Sequence, residues 1–236
     1  MVKQQPLYSI LITSYECEGM GPLYIKWNLE RILKQTYRRI QIVVSDHSKN
    51  DEIADVIKAL DFKDIECIYV KCTENYGNPS TNWNNALKYA KGDYIHYFAM
   101  DDYLFDENSV ANIVNHMDAN RASKWCISAS ILTTGKYYYP QWNNDILTNN
   151  TVGGPSTVTI RSEISHIKLD PEFTWLLDAD WYYRVWLEAG EPSVLDTIIW
   201  VNRINPYQLT NTYCNDEIRA QEEAKIRIKY SLTSSP

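Results

Sequence analysis

The chain has 236 residues, 44% of them apolar, and a formal net charge of −7. That length and composition suit one sizeable globular domain, or one with a small appendage. The acidic balance argues against nucleic acid as a partner and against a polybasic membrane anchor, since both need a basic surface.

The opening stretch has no signal-peptide pattern, only a short apolar run at Tyr8–Thr13 that reads as a buried strand. Leu23–Gln35 carries Leu23, Trp27, Ile32 and Leu33 close to helical spacing. Ile40–Val44 is β-rich and ends at Ser45-Asp46. Glu52–Leu60 is helical by spacing, with Asp51 as its expected N-cap. Ile65–Val70 reads as a strand, Asn75–Pro79 as a turn, Thr81–Lys91 as a helix and Tyr94–Phe98 as a strand. Strand and helix therefore alternate through the first hundred or so residues, which predicts an α/β fold of βαβ units around a mostly parallel sheet with right-handed crossovers.

The second half is mixed. Glu107–Met117 reads as a helix, and Trp125–Thr133 as a strand paired with Lys136–Tyr139 through Thr134-Gly135. Gln141–Pro155 is rich in Asn, Gly and Pro and reads as a loop. A strand at Thr157–Arg161, an amphipathic helix at Trp175–Ala189 ending on Gly190, a strand at Val194–Val201 and a charged helix at Asn215–Tyr230 complete the pattern. No stretch approaches ~18 uninterrupted apolar residues, so no transmembrane segment is expected. Five cysteines, with no CxxC spacing, read as reduced thiols of a cytoplasmic protein. The four histidines are far apart and no HExxH occurs, which gives zinc little support. Tyr and Trp (18 and 8) outnumber the 4 Phe. Their flat faces and polar edges suit a sugar-handling surface, or a core whose polar tips reach water.

The most informative run is Lys88–Phe105, in which the strand Tyr94–Phe98 stops just before Asp101-Asp102. In open α/β sheets ligands sit outside the carboxyl ends of the strands. Two adjacent carboxylates there repel unless a cation lies between them, and Mg²⁺-type cations share oxygen ligands with substrate phosphates. The pair thus points to a metal that clamps a diphosphate. The competing reading is a pair of solvated turn or helix-start residues before Asp106–Asn108.

These segments together resemble the inverting family 2 glycosyltransferases, which have the GT-A fold. The resemblance is strongest over residues 7–104 and fair over 174–210. LYSILITSY (Leu7–Tyr15) resembles the family's first strand and nucleotide loop, with Thr13 and Tyr15 at matching positions. LKQTY (Leu33–Tyr37), IQIVVSDHS (Ile40–Ser48) and Asn82-Trp83-Asn84 followed by Ala86-Leu87 also match, and Asp101 and Asp102 fall on the metal-binding motif. LDADWYYR (Leu177–Arg184) resembles the segment that carries the catalytic base, placing Asp178 on that position with Asp180 two residues on. Residues i and i+2 of a helix point to different faces, so only one of the two carboxylates can face a cleft.

The resemblance implies a metal-dependent enzyme using Mn²⁺ or Mg²⁺, held by Asp102 and Asp101. It implies nucleotide-sugar contacts from Thr13, Tyr15, Asp46, Asn84 and Asp101, a saccharide or glycoconjugate acceptor, and Asp178 as general base. Asp46 would accept from the N3–H of uracil or thymine, hence a UDP or dTDP donor. One domain would divide into a donor half (1–104) and an acceptor half (105–236), with Gly153-Gly154-Pro155 and the tryptophans 142, 175 and 181 on the acceptor side. The chain departs from the pattern at Ala99, Trp83, His47 and Asn205, where relatives carry Asp, Arg, Gly and His. A sugar nucleotidyltransferase and a non-catalytic saccharide- or nucleotide-binding protein are the alternatives. The first lacks its basic glycine loop, and the second would be favoured only by loss of Asp102 and Asp178.

Overall fold

The computed structural model describes residues 4–232. Strand β1 (Tyr8–Ser14) leads through a short 3-10 turn to α1 (Gly21–Ile32), then β2 (Ile40–Asp46), α2 (Glu52–Ala59), β3 (Glu66–Lys71), α3 (Pro79–Leu87), β4 (Tyr94–Ala99) and β5 (Tyr103–Leu104). Helix α4 (Ser109–Ala119), β6 (Trp125–Leu132), β7 (Tyr137–Tyr138), β8 (Val158–Arg161), α5 (Leu177–Ala189), β9 (Ser193–Asn202), α6 (Leu209–Thr212) and α7 (Asp216–Lys229) follow.

All strands join one sheet, in the order β3-β2-β1-β4-β8-β6-β9-β5, with β7 paired to β6. The first four are parallel and in step: Tyr8 lies beside Ile40 and Tyr94, and Thr13 beside Ser45 and Ala99. Their carboxyl ends therefore form one edge, at which the chain turns into Tyr15, His47 and Asp101-Asp102. Beyond β4 the sheet changes character. Strand β8 runs antiparallel to both β4 and β6, while β9 is parallel to β6 through a bulged register.

Both faces are covered, because alternate strand residues feed two apolar layers. Ile10, Ile12, Ile42 and Val44 pack with α1, α2 and α4. Leu11, Val43, Ile95 and Tyr97 pack with α3 and α5, with Ile226 of α7 beneath. Local chemistry fixes the helix starts nearest the carboxyl edge. The Asn78 side chain caps α3 by accepting from Thr81 N at 2.8 Å, with Pro79 as the first helical residue. Asn215 caps α7 through Ile218 N. The expected Asp51 cap of α2 does not form; its carboxylate lies 3.8 Å from Lys71 Nζ instead. Gly92 precedes β4 because a Cβ there would come within 2.5 Å of Tyr94 O and 2.6 Å of Ser9 N.

Candidate active site

A cleft of about 490 Å³ opens at the carboxyl edge of the parallel strands. Its wall brings together Thr13, Tyr15, Asp101, Asp102 and Asp178, five of the seven residues singled out from the sequence. Three of these are carboxylates, and among the described residues no Lys or Arg lines the cleft.

Asp102 is almost wholly buried. Its Oδ2 accepts from Ser156 Oγ at 2.6 Å, and its Oδ1 from Asn202 Nδ2 at 3.1 Å and from the backbone N–H of Arg203 at 3.3 Å. Asp101 Oδ2 accepts from Asn205 Nδ2 at 2.8 Å. Burial, and then the charge of Asp101, push the Asp102 carboxyl up; burial does the same to Asp101. Arg203 lends its Nε–H to the Asp101 carbonyl at 2.9 Å and stacks its guanidinium on Tyr24, Trp27 and Tyr103. The second half of the chain thus braces the Asp-Asp turn of the first. Asn205, the residue in place of the usual His, does so directly.

The donor set suits a hard divalent cation. Asp101 and Asp102 offer carboxylate oxygens at a cleft without a cationic side chain. Among the described residues no third His, Cys, Asp or Glu joins them as a metal cluster. The remaining coordination would fall to water and ligand oxygens, as is usual for Mg²⁺.

Asp178 and Asp180 separate cleanly. Asp180 is fully buried away from the cleft, held by Arg184, Lys229 and the Tyr230 hydroxyl. Asp178 lines the cleft, where Oδ2 accepts from Asn150 Nδ2 at 3.0 Å and Oδ1 from Ala179 N at 2.8 Å. Burial against the apolar wall pushes its carboxyl up to about 7. Asn150 also accepts from the N–H groups of Val152 and Gly153, so one side chain both shapes this loop and touches Asp178.

The structure does not bring two expected nucleotide contacts, Asp46 and Asn84, to the cleft. Asp46 is fully buried at the end of β2. Its Oδ1 accepts from Ser14 Oγ and from Ser48 N and Oγ, and its Oδ2 from Tyr69 OH and Lys71 Nζ. Both oxygens are committed to tying β1, β2 and β3 together. Asn84 exchanges two hydrogen bonds with the backbone of Leu169, fastening α3 to the loop before α5. Of the expected tryptophans only Trp175 lines the cleft, with Arg219 over its ring. Trp181 is core against Tyr97, and Trp142 packs on Trp125 and Trp186. Gly154 and Pro155 do reach the cleft and lead into Ser156. The sequence reading assigned no role to Ser156, Asn202 or Asn150, and noted Asn82 only as part of the Asn82-Trp83-Asn84 match. The Gly-Gly-Pro run was the local signal ahead of Ser156.

Residues 9–164 match the family model "Glycosyl transferase family 2". Among curated proteins, the chain is 32% identical over 139 residues to the Escherichia coli UDP-Glc:alpha-D-GlcNAc-diphosphoundecaprenol beta-1,3-glucosyltransferase WfaP. That stretch covers 57% of this chain and 52% of WfaP, so the chain spans about half of that relative's length. Among solved structures it is similar to S. aureus TarS 1-349 in complex with UDP-GlcNAc (TM-score 0.74, 18% identity, 98% of this chain and 68% of that one). It is also similar to the mannosyltransferase PcManGT from Pyrobaculum calidifontis in complex with GDP-Man and Mn²⁺ (TM-score 0.68, 13% identity, 99% of this chain and 66% of that one).

Proposed function

The chain belongs to glycosyl transferase family 2, and from that premise we propose that it moves a sugar from a UDP- or dTDP-sugar to a hydroxyl of a saccharide or glycoconjugate, inverting the anomeric carbon. It is a glycosyltransferase, and its fold is of the GT-A type. The observation that carries the finer reading is the cleft itself: Asp101, Asp102 and Asp178 share one wall at the strand ends, and among the described residues no Lys or Arg lines that wall.

Thr13, Tyr15 and Asp101 take the nucleotide end of the donor. Asp102, with Asp101, would hold Mg²⁺ or Mn²⁺. When bound, the cation supplies Lewis-acid neutralisation of the charge that collects on a leaving diphosphate. Asp178 takes the proton of the acceptor hydroxyl as that oxygen bonds to the anomeric carbon. The bond from that carbon to the diphosphate breaks, and the nucleoside diphosphate leaves with the electron pair. A single displacement needs no enzyme nucleophile. The cleft is built to leave Asp178 titrating near neutral pH, which suits a general base. A pyrimidine donor is supported by WfaP, whose name specifies UDP-Glc, and by the UDP-GlcNAc bound to TarS. A divalent cation is supported by the Mn²⁺ of the Pyrobaculum mannosyltransferase. Residues 1–104 act as the donor half and 105–236 as the acceptor half of one domain.

The test is a donor screen with Mn²⁺ or Mg²⁺ present, following nucleoside diphosphate release and the anomeric configuration of the product. Release of UDP or dTDP with inversion is expected. Turnover of GDP-sugars alone, or retention of configuration, contradicts the reading.

A further inference from the structure

We infer that Ser156 is a positioning residue for the cation site: its hydroxyl clamps the turn that carries Asp101 and Asp102, and it leaves one oxygen of Asp102 free to face a divalent cation. The inference rests on the reading above that Asp102 holds that cation, and it adds the group that aims Asp102.

The turn runs from Ala99 to Asp102 and is closed by the Asp102 N–H, which donates to the Ala99 carbonyl at 3.2 Å. Ser156 Oγ touches both ends of it. It accepts the Ala99 N–H at 3.0 Å and donates to Asp102 Oδ2 at 2.6 Å. The Ala99 N–H can only donate and a carboxylate can only accept, so the hydroxyl proton has one place to go.

The acceptor positions of Asp102 can then be accounted for. A carboxylate offers about four of them. Oδ1 uses two, on Asn202 Nδ2 and on the Arg203 N–H, and Oδ2 uses one, on Ser156. The position left over is on Oδ2, beside the Ser156 hydroxyl. Oδ2 is therefore the oxygen that Asp102 can give to a cation, and Ser156 fixes where it points.

Ser156 is itself held from behind. It is 1% exposed and sits in the short 3-10 turn that leads into β8. Its carbonyl lies 2.9 Å from His96 Nε2 on β4. A carbonyl has no proton to give, so Nε2 carries one. Burial keeps His96 neutral by pushing it down to about 4. Nδ1 is then an acceptor, and it takes the Tyr8 hydroxyl at 2.9 Å; the Tyr8 oxygen takes the Thr159 hydroxyl at 3.1 Å. Thr159, Tyr8, His96 and Ser156 thus form one buried chain in which every proton has a set direction. Apolar side chains of the same shape would serve stability about as well. Stability alone gives no reason for such a chain across β1, β4 and β8, whereas its end at the Asp102 clamp does.

The test is a Mn²⁺ titration at fixed UDP, read by the electron paramagnetic resonance of free Mn²⁺, with melting curves for the same chains. Mn²⁺ held by UDP in solution is a background common to all of them. Losing a hydrogen bond to a metal-ligating carboxylate typically costs about 10–100-fold in metal affinity, so Ser156→Ala should weaken Mn²⁺ binding by about that factor. Tyr8→Phe is the matched control. It unpairs the far end of the buried chain and lowers the melting temperature without touching Asp102, so its Mn²⁺ affinity should stay that of wild type. If Ser156→Ala does not fold, Ser156→Cys carries the test, because a thiol of similar shape is only a weak donor. Wild-type Mn²⁺ affinity in the folded Ala or Cys variant overturns the inference. So does an equal loss in Tyr8→Phe, which would make the effect one of general stability. Unchanged Mn²⁺ affinity in Asp102→Asn overturns the cation reading itself, a result distinct from the other two.

Discussion

Asp178 and Asp180 stand two residues apart on α5, and their surroundings give them different work. Asp178→Asn should reduce turnover by about 10²–10⁴-fold, the usual contribution of a positioned base, while leaving UDP affinity unchanged. Asp180→Asn should act on the fold. It breaks a buried arrangement with Arg184, Lys229 and Tyr230, a change of about 3–5 kcal/mol when one partner of a buried pair is lost. Steady-state kinetics and melting of the two variants check this, and a dead but stable Asp180→Asn enzyme would reverse the assignment. The pH behaviour of Asp178 follows from its burial. As a base it must be ionised, so kcat/KM should rise with pH and level off above about 7. Asn150 donates to the ionised form, so Asn150→Ala should move that midpoint upward. The linked effect on stability has the opposite direction. Unfolded, this carboxyl titrates near about 4; folded, at about 7. Between those values only the folded state holds the proton, so the group makes the fold progressively less stable as pH rises through the window. Asp178→Asn should therefore melt higher than wild type at pH 8, with the gap closing toward pH 4. The place of Asp178 on the cleft wall was legible in the sequence because the segment that carries it is local. The true environment of Asp46 was not, because Tyr69 and Lys71 reach it from a neighbouring strand more than twenty residues away, and nothing near Asp46 announces them.

At the scale of elements, the helix that presents Asp178 is anchored by the helix that follows it in the sheet's lower layer. Glu222 of α7 is buried, and its two oxygens accept from Thr174, Trp175 and Leu176 N–H, each at 2.8 Å. These groups lie just ahead of α5, where a negative charge is favoured. Glu222→Gln keeps the size but turns an NH₂ toward backbone donors. It should lower stability by about 2–4 kcal/mol, read as a fall in Tm of roughly 5–10 °C for a chain of this length. Amide exchange at 174–176 should accelerate, and kcat should fall with unchanged UDP affinity. An unaltered Tm would show that Glu222 is not the anchor. The charged pattern of Asn215–Tyr230 was enough to predict a helix, observed at Asp216–Lys229. It could not reveal that one acidic residue on that helix turns inward. Likewise β5, two residues long, carries too little pattern to be seen, yet it pairs with β9 and brings Arg203 under the Asp-Asp turn.

For the whole molecule the governing quantity is charge. The chain carries −7 overall, and three of its carboxylates line a cleft that no Lys or Arg of the described residues lines. His47, the remaining basic group on that wall, is pushed below its usual range by burial and stays neutral at pH 7. A nucleoside diphosphate entering such a cleft meets repulsion in a partly desolvated place, where opposing charges are screened little. Arg203 sits behind the Asp101 turn, its guanidinium stacked on Tyr24, Trp27 and Tyr103, and among the described residues no Lys or Arg lines the cleft wall, so a bound cation would supply the counter-charge. This links composition to mechanism, and it yields the last prediction. UDP should bind weakly in excess EDTA and at least about tenfold more tightly, or about 1.4 kcal/mol, with Mn²⁺ or Mg²⁺ restored. Turnover should stop on chelation and recover on adding the metal back. Monovalent salt cannot substitute, because screening weakens repulsion without bridging two carboxylates to a diphosphate. Asp102→Asn should abolish the metal-dependent part of UDP binding while leaving the weak metal-free part in place. That residual separates a metal-site defect from unfolding, and a melting curve near that of wild type completes the control. UDP affinity equal in EDTA and in Mn²⁺ would mean that the cleft neutralises the diphosphate by other means, and the role given to Asp101 and Asp102 would fall with it.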